Sequence, residues 1–199
     1  AAVCFQLGAQ RIADQTANPI FVKEKTGPTI TWQAGDGVST TPADPVFGQL
    51  SATPHTAIAI HEASELLLHQ ASPLMELGIR RGLGLGLVSA IEQVMLAGTG
   101  GAQPVGITNT VGINTVSGTS ITRAVLLDMQ QQAANSNAII NSNTVGYVGT
   151  PPVAALMAGR QEFAGVATTQ WQGGLAQGTV CGVPAMATKS LGTGNLIFG

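Results

Sequence analysis

GTGGAQPVGI, Gly98 to Ile107, is the stretch on which the reading of this chain turns. It ends a long helical pattern and opens a glycine-rich turn that contains Pro104. Gly98 suits a helix stop, because helices commonly end on glycine. Upstream, Ser72 suits a cap and Pro73 a first helical position. Between them and Gly98, Ile79, Leu83, Leu87, Ile91 and Val94 recur at helical spacing. Leu74, Leu77, Leu85 and Val88 occupy the other sides. The pattern therefore predicts a helix over 73–97, about 37 Å long. Its middle is apolar nearly all round, which predicts burial on more than one face. Gly82, Gly84 and Gly86 count against it, each costing about 1 kcal/mol relative to Ala. Close packing on a neighbouring backbone would offset that cost. The alternation GLGLGL also fits a strand, so periodicity alone leaves both assignments open.

Outward from this helix the chain reads as mixed α and β. Pro19 to Val22 and Thr29 to Gln33 predict two strands of a hairpin, with Lys23, Glu24 and Lys25 as a charged tip. Ala34 to Pro45 reads as loop. Ala57 to Ile60 predicts a strand that is apolar on both faces. Ser64 is a good cap for a short helix through Leu68. Beyond Ile107, Ile121 to Ala134 predicts a second helix and Thr144 to Val148 a buried strand. Pro151 starts a third helix through Gly159. Val180 to Thr188 predicts a strand broken by Gly182 and Pro184.

Composition narrows the function classes. The chain has 199 residues, enough for one domain or two small lobes. Charged residues make up 9%, against roughly 25% in ordinary soluble domains. With 44% hydrophobic residues this predicts a folded core whose weakly charged surface neighbours cover. A net charge of −2 leaves no basic footprint for gripping nucleic acid. Cys4 and Cys181 are too few for a disulfide framework or a four-cysteine zinc site, and both read as buried thiols of a reducing compartment. No secretory signal is legible at the start. The apolar run Leu83 to Ala97 is interrupted by Glu92 and Gln93, short of the ~18 apolar residues a membrane span needs.

The chemical motifs are weak. His61-Glu62-Ala63-Ser64-Glu65 begins like a zinc-protease helix, but that chemistry needs a second His where Glu65 stands. His69 is eight residues from His61, and a continuous helix between them is doubtful. Gly98-Thr99-Gly100-Gly101 lacks the Lys-Ser/Thr pair of a phosphate loop and follows a helix rather than a strand. Neither cysteine has a His near it in sequence, and no G-x-S-x-G elbow occurs. His55, His61 and His69 are the candidate imidazole bases. No catalytic, cofactor-binding or metal-binding residue is assigned, and no cofactor is expected.

Three pieces in order, SELLLHQASP (Ser64 to Pro73), the Gly98–Ile107 string and VCGVPAMATKS (Val180 to Ser190), resemble the major capsid proteins of tailed phages, the Hong Kong 97 fold. The resemblance covers roughly Ile30 to Gly199. It implies an α+β fold with an extended loop (1–45), a peripheral lobe with a long spine helix (46–99), and a mixed α/β axial lobe that begins a return to the peripheral lobe (100–199). Gly98–Ile107 would be the crossing between lobes. Asn141 to Arg160 would be the strand-then-helix of the axial lobe, and Gly182-Val183-Pro184 a late strand of it. The implied function is structural: an icosahedral phage or prophage shell enclosing double-stranded DNA. Pentamers and hexamers are implied in the full-length protein, with a possible scaffold or maturation protease and no membrane. The implied location is the virion, assembled in the host bacterial cytoplasm. Some such shells crosslink through the extended loop, but nothing identifies an isopeptide partner for Lys23 or Lys25. The family normally carries an N-terminal arm and further C-terminal strands. Their lack predicts that this chain cannot close a shell alone. The rivals are an encapsulin-like compartment shell, a small hydrolase built on His55–His69, and a carbohydrate- or protein-binding module.

Overall fold

The computed structural model describes residues 3–6, 8–13, 18–28, 30–32, 35, 44–66, 73–118, 120–136 and 145–199. The chain divides into two compact units, 11–56 and the remainder, 1–10 with 57–199.

The first unit is a β-hairpin. Strand β1 (Ile20–Thr26) pairs antiparallel with β2 (Val46–Ser51), from Ile20 opposite Ser51 to Thr26 opposite Val46. The partner of β1 is therefore not Thr29 to Gln33, whose described residues Ile30–Trp32 form no strand. Lys23 and Glu24 lie within the ladder rather than at a tip. Lys25 falls at a register shift, where an extra residue bends a strand. Its side chain crosses Gly48, so that a Cβ there would meet Lys25 Cε at 2.6 Å.

In the second unit, a short turn of helix, α1 (Val3–Gln6), precedes the long helix α2 (Pro73–Ala97). The predicted bounds of α2 hold, and Gly98 N–H donates the last helical bond to Val94 O at 2.9 Å. Burial on several faces does not hold. Glu92 and Leu96 are its buried residues, while Leu74, Leu77, Leu85, Val88 and Ile91 are exposed. A Cβ on Gly82, Gly84 or Gly86 would meet nothing within 4 Å. The reason is topological: the small core around Leu96 and the bond from Thr188 to Glu92 lie at the last turns of α2, and no residue of its first four turns is buried among the described residues. Ala57 to Ile60 carries no strand, and Ile58 and Ile60 are exposed. The Ser64–Leu68 helix is described at residues 65–66 alone, and Ser72 lies outside the described residues.

The rest of this unit is a sheet lobe. Helix α3 (Arg123–Asn135) leads to β3 (Tyr147–Gly149), which runs straight into α4 (Pro151–Ala158). Pro at the first helical position of α4 removes an N–H that would have had no helical acceptor. Strands β4 (Gln172–Gly173), β5 (Gln177–Val180), β6 (Val183–Ala187) and β7 (Leu196–Phe198) complete a five-stranded sheet of order β4-β5-β6-β3-β7. β3 and β6 are parallel; the other pairs are antiparallel. The predicted broken strand Val180–Thr188 is a hairpin junction. Cys181 and Gly182 both take positive φ, 49° and 80°, as a two-residue turn requires.

The sheet lobe owns the larger core. Leu126 of α3, Val153, Ala154 and Met157 of α4, and Tyr147, Val180, Val183 and Ala185 of the sheet enclose Trp171. Trp171 Nε1 donates to Gly174 O at 2.9 Å and Tyr147 Oη donates to Leu126 O at 2.8 Å, so both buried polar tips are paired. Tyr147 also packs on Phe198 at 4.8 Å between ring centroids.

Candidate functional site

The residues singled out for chemistry do not converge. His55 lies in the hairpin unit and His61 in the other, both exposed, and His69 is outside the described residues. Glu62 and Glu65 are exposed. Among the described residues no group of three or more His, Cys, Asp or Glu gathers as a metal site would need. Cys4 is buried and Cys181 half-buried. Burial pushes both thiols up from their ordinary value, with the Glu92 carboxylate adding to the rise at Cys4 and Arg123 opposing it at Cys181. A nucleophilic cysteine needs the opposite shift. Gly98–Gly101 forms a tight turn in which Gly100 and Gly101 have φ of 84° and 81°. A bridge from Thr99 to Val105 and a Gln103 to Thr99 hydrogen bond of 2.9 Å close it.

What the fold does build is a joint between α2 and the sheet. At the helix end, Gly106 N–H donates to Gly98 O at 2.8 Å. The two glycines approach so closely that side chains there would strike backbone: a Cβ on Gly106 would lie 2.7 Å from both Ala97 N and Val94 O. The carbonyls that a helix leaves open at its C-terminus are then taken by the next turn. Thr108 Oγ1 donates to Leu96 O at 3.0 Å, and Asn109 Nδ2 donates to Gly98 O at 2.9 Å and Ala97 O at 3.2 Å. Leu96 packs in a small core with Cys4, Val148 and Leu191. One turn earlier, buried Glu92 accepts a 2.6 Å hydrogen bond from Thr188 Oγ1, just past β6.

Sequence reasoning saw Glu92 as an interruption of an apolar run and did not find its partner 96 residues away. It also missed a cluster in the sheet lobe, where Arg123 pairs with Glu162 and stacks 5.1 Å above the Phe163 ring centroid. Arg160 Nη1 there donates to Ile121 O at 2.9 Å. A groove of about 570 Å³ between α3, β7 and residues 107–118 has no charged side chain among the described residues of its lining, which suits neither anions nor acid–base chemistry.

A family model described as the phage capsid family matches residues 3–199, nearly the whole chain. This chain belongs to the phage capsid family. No curated protein matches it. Among solved structures, "Capsid of native GTA particle computed with C5 symmetry" aligns over 100% of this chain and 73% of that one, at 15% identity and a TM-score of 0.73. "Capsid of empty GTA particle computed with C5 symmetry" aligns over 100% and 72%, at 15% identity and a TM-score of 0.74. At such identity these likenesses establish the fold. The α+β capsid fold of the Hong Kong 97 type is the fold of this chain. Capsid-family membership makes the chain a structural protein of phage or phage-like particles. Among the described residues no helix is long and apolar enough to cross a membrane.

Proposed function

We propose that this chain is a wall subunit of an icosahedral phage or prophage shell that encloses double-stranded DNA, and that it carries no catalysis of its own. The observation that carries the reading is the capsid-family match across residues 3–199. Both GTA capsids were computed with C5 symmetry, in keeping with five-fold clusters of copies; in this proposal hexamers of the same subunit complete the shell. In this reading residues 1–45, with β1, belong to the extended loop, residues 46–99, with β2 and α2, contribute the peripheral lobe, and 100–199 the axial lobe and the start of the return to the peripheral lobe. Neighbouring copies cover the exposed leucines of α2, which a solitary subunit would leave in water. Weak surface charge lowers the desolvation cost of that contact. A net charge of −2 suits a wall that surrounds DNA without gripping it. Assembly takes place in the bacterial cytoplasm, with a scaffold or protease as candidate helpers.

The test is the particle mass of the gene product carrying this chain, by light scattering with electron micrographs of the same sample. Closed megadalton particles holding nuclease-protected DNA are expected. Particles packed with protein instead would assign an encapsulin-like compartment. A stable monomer under all conditions would refute the shell reading.

A further inference from the structure

The long helix is held like a cantilever. No residue of its first four turns is buried among the described residues, and its buried residues are Glu92 and Leu96, one turn apart on one face. Leu96, the Gly98–Gly106 crossing and the Thr108 and Asn109 caps grip the tip. A grip concentrated at the tip makes that end the natural pivot for any swing of the helix. Glu92 is a second anchor, one turn back along the lever.

That anchor is strongly specified. Thr188 N–H donates to Gly149 O at 2.9 Å, which ties the residue to β3. Thr188 Oγ1 also accepts the Ser190 N–H at 3.2 Å. With a lone pair committed to Ser190, the hydroxyl proton is left for Glu92 Oε1, 2.6 Å away. No ion pair among the described residues involves Glu92, although both side chains are buried. A buried carboxyl beside the apolar Cys4–Leu96–Val148–Leu191 cluster is an expensive way to add stability, and such groups are best attested as devices that select one geometry.

We propose that the Glu92–Thr188 hydrogen bond sets the angle at which the long helix leaves the sheet lobe, and thereby the curvature at which subunits meet. The second half rests on the shell reading; the first does not. The lever is long: Leu74 lies about 27 Å along the helix from Glu92, so a swing of about 10° moves it by about 5 Å.

The experiment places spin labels on the full chain at exposed Leu74 and Gln177, through non-canonical residues so that Cys4 and Cys181 stay untouched. Pulsed electron–electron resonance then reads the distance between helix and sheet. T188V removes the donor at constant shape, E92L removes the acceptor, and E92Q retains an oxygen that accepts from Thr188. T188V and E92L are expected to shift or broaden the distance by several ångström, scaled from the same lever, while E92Q keeps the wild-type distribution. Fluorescence of buried Trp171 reports that the sheet lobe stays folded; if E92L does not fold, T188V decides. An unchanged distribution in T188V would overturn the proposal, because a bond with a merely stabilising role lowers melting temperature without moving the helix. In assembled particles, T188V is expected to broaden the diameter distribution and E92Q to restore it. If T188V moves the helix but diameters stay uniform, the curvature half falls. If the wild type forms no particles, the shell reading falls while the distance result still judges the hinge.

Discussion

Replacing glycine by alanine should have opposite effects at two places in this chain, and the signs follow from geometry. Gly106 has φ −82° and ψ 168°, a conformation alanine adopts freely. Backbone strain is therefore absent and the whole effect is steric. The added methyl would lie 2.7 Å from Ala97 N and from Val94 O, and would also meet Gly98 N. These are backbone atoms of the helix end and cannot rotate away. Overpacking of this kind costs about 1–3 kcal/mol. Separating the strands of the crossing also weakens the 2.8 Å Gly106–Gly98 bond, worth about 1 kcal/mol. The sum is about 2–4 kcal/mol. At about 2–4 °C per kcal/mol for a chain of this size, G106A should melt roughly 4–16 °C lower. At Gly82, where a Cβ would meet nothing within 4 Å, the helix propensity of alanine acts alone. G82A should stabilise the unassembled chain by about 1 kcal/mol. Calorimetry and urea melts of both variants read the difference. G106A melting with the wild type would refute the close-approach argument. G82A melting lower would mean that the chain itself covers this face.

Other outcomes follow from the same structure. Tyr147→Phe removes the buried hydroxyl's bond to Leu126 O, a carbonyl inside α3 that keeps its helical N–H partner, so it should cost about 0.5–1.5 kcal/mol with the fold retained, read by urea denaturation. Arg123→Ala should destabilise the sheet lobe by about 1–3 kcal/mol, because the half-buried Glu162 loses its ion-pair partner and keeps the 3.2 Å hydrogen bond from Thr168 Oγ1. Arg123→Lys should recover part of that loss, since it keeps charge but not the planar stack on Phe163. The raised thiols of Cys4 and Cys181 give a defined pH trend. The unfolded chain ionises them first, near the ordinary value of 9.0, so stability holds below that pH and is lost as pH climbs through the folded values. Melting temperature against pH should fall less steeply above that point in C4A, and an unchanged slope in C4A with C181A would exclude the thiols as the cause.

What could be read without coordinates was local. The bounds of the long helix, its stop at Gly98, and the strand-to-helix passage into Pro151 are carried by neighbouring residues, because caps, prolines and helical spacing act within a turn or two. The capsid resemblance rested on the same kind of signal, three short strings in order, and the family match bears it out. Tertiary structure decided the rest. β1 had several extended segments to choose from, and pairing with Val46–Ser51 rather than Thr29–Gln33 depends on how the intervening chain closes. The uncovered faces of α2 could not be foreseen, since apolar spacing announces a surface to be buried without saying whose atoms bury it. Glu92 looked like a flaw in an apolar run until Thr188 came to meet it. A hydrogen bond between residues so far apart leaves no periodic trace, because its geometry exists once the sheet has folded and not before.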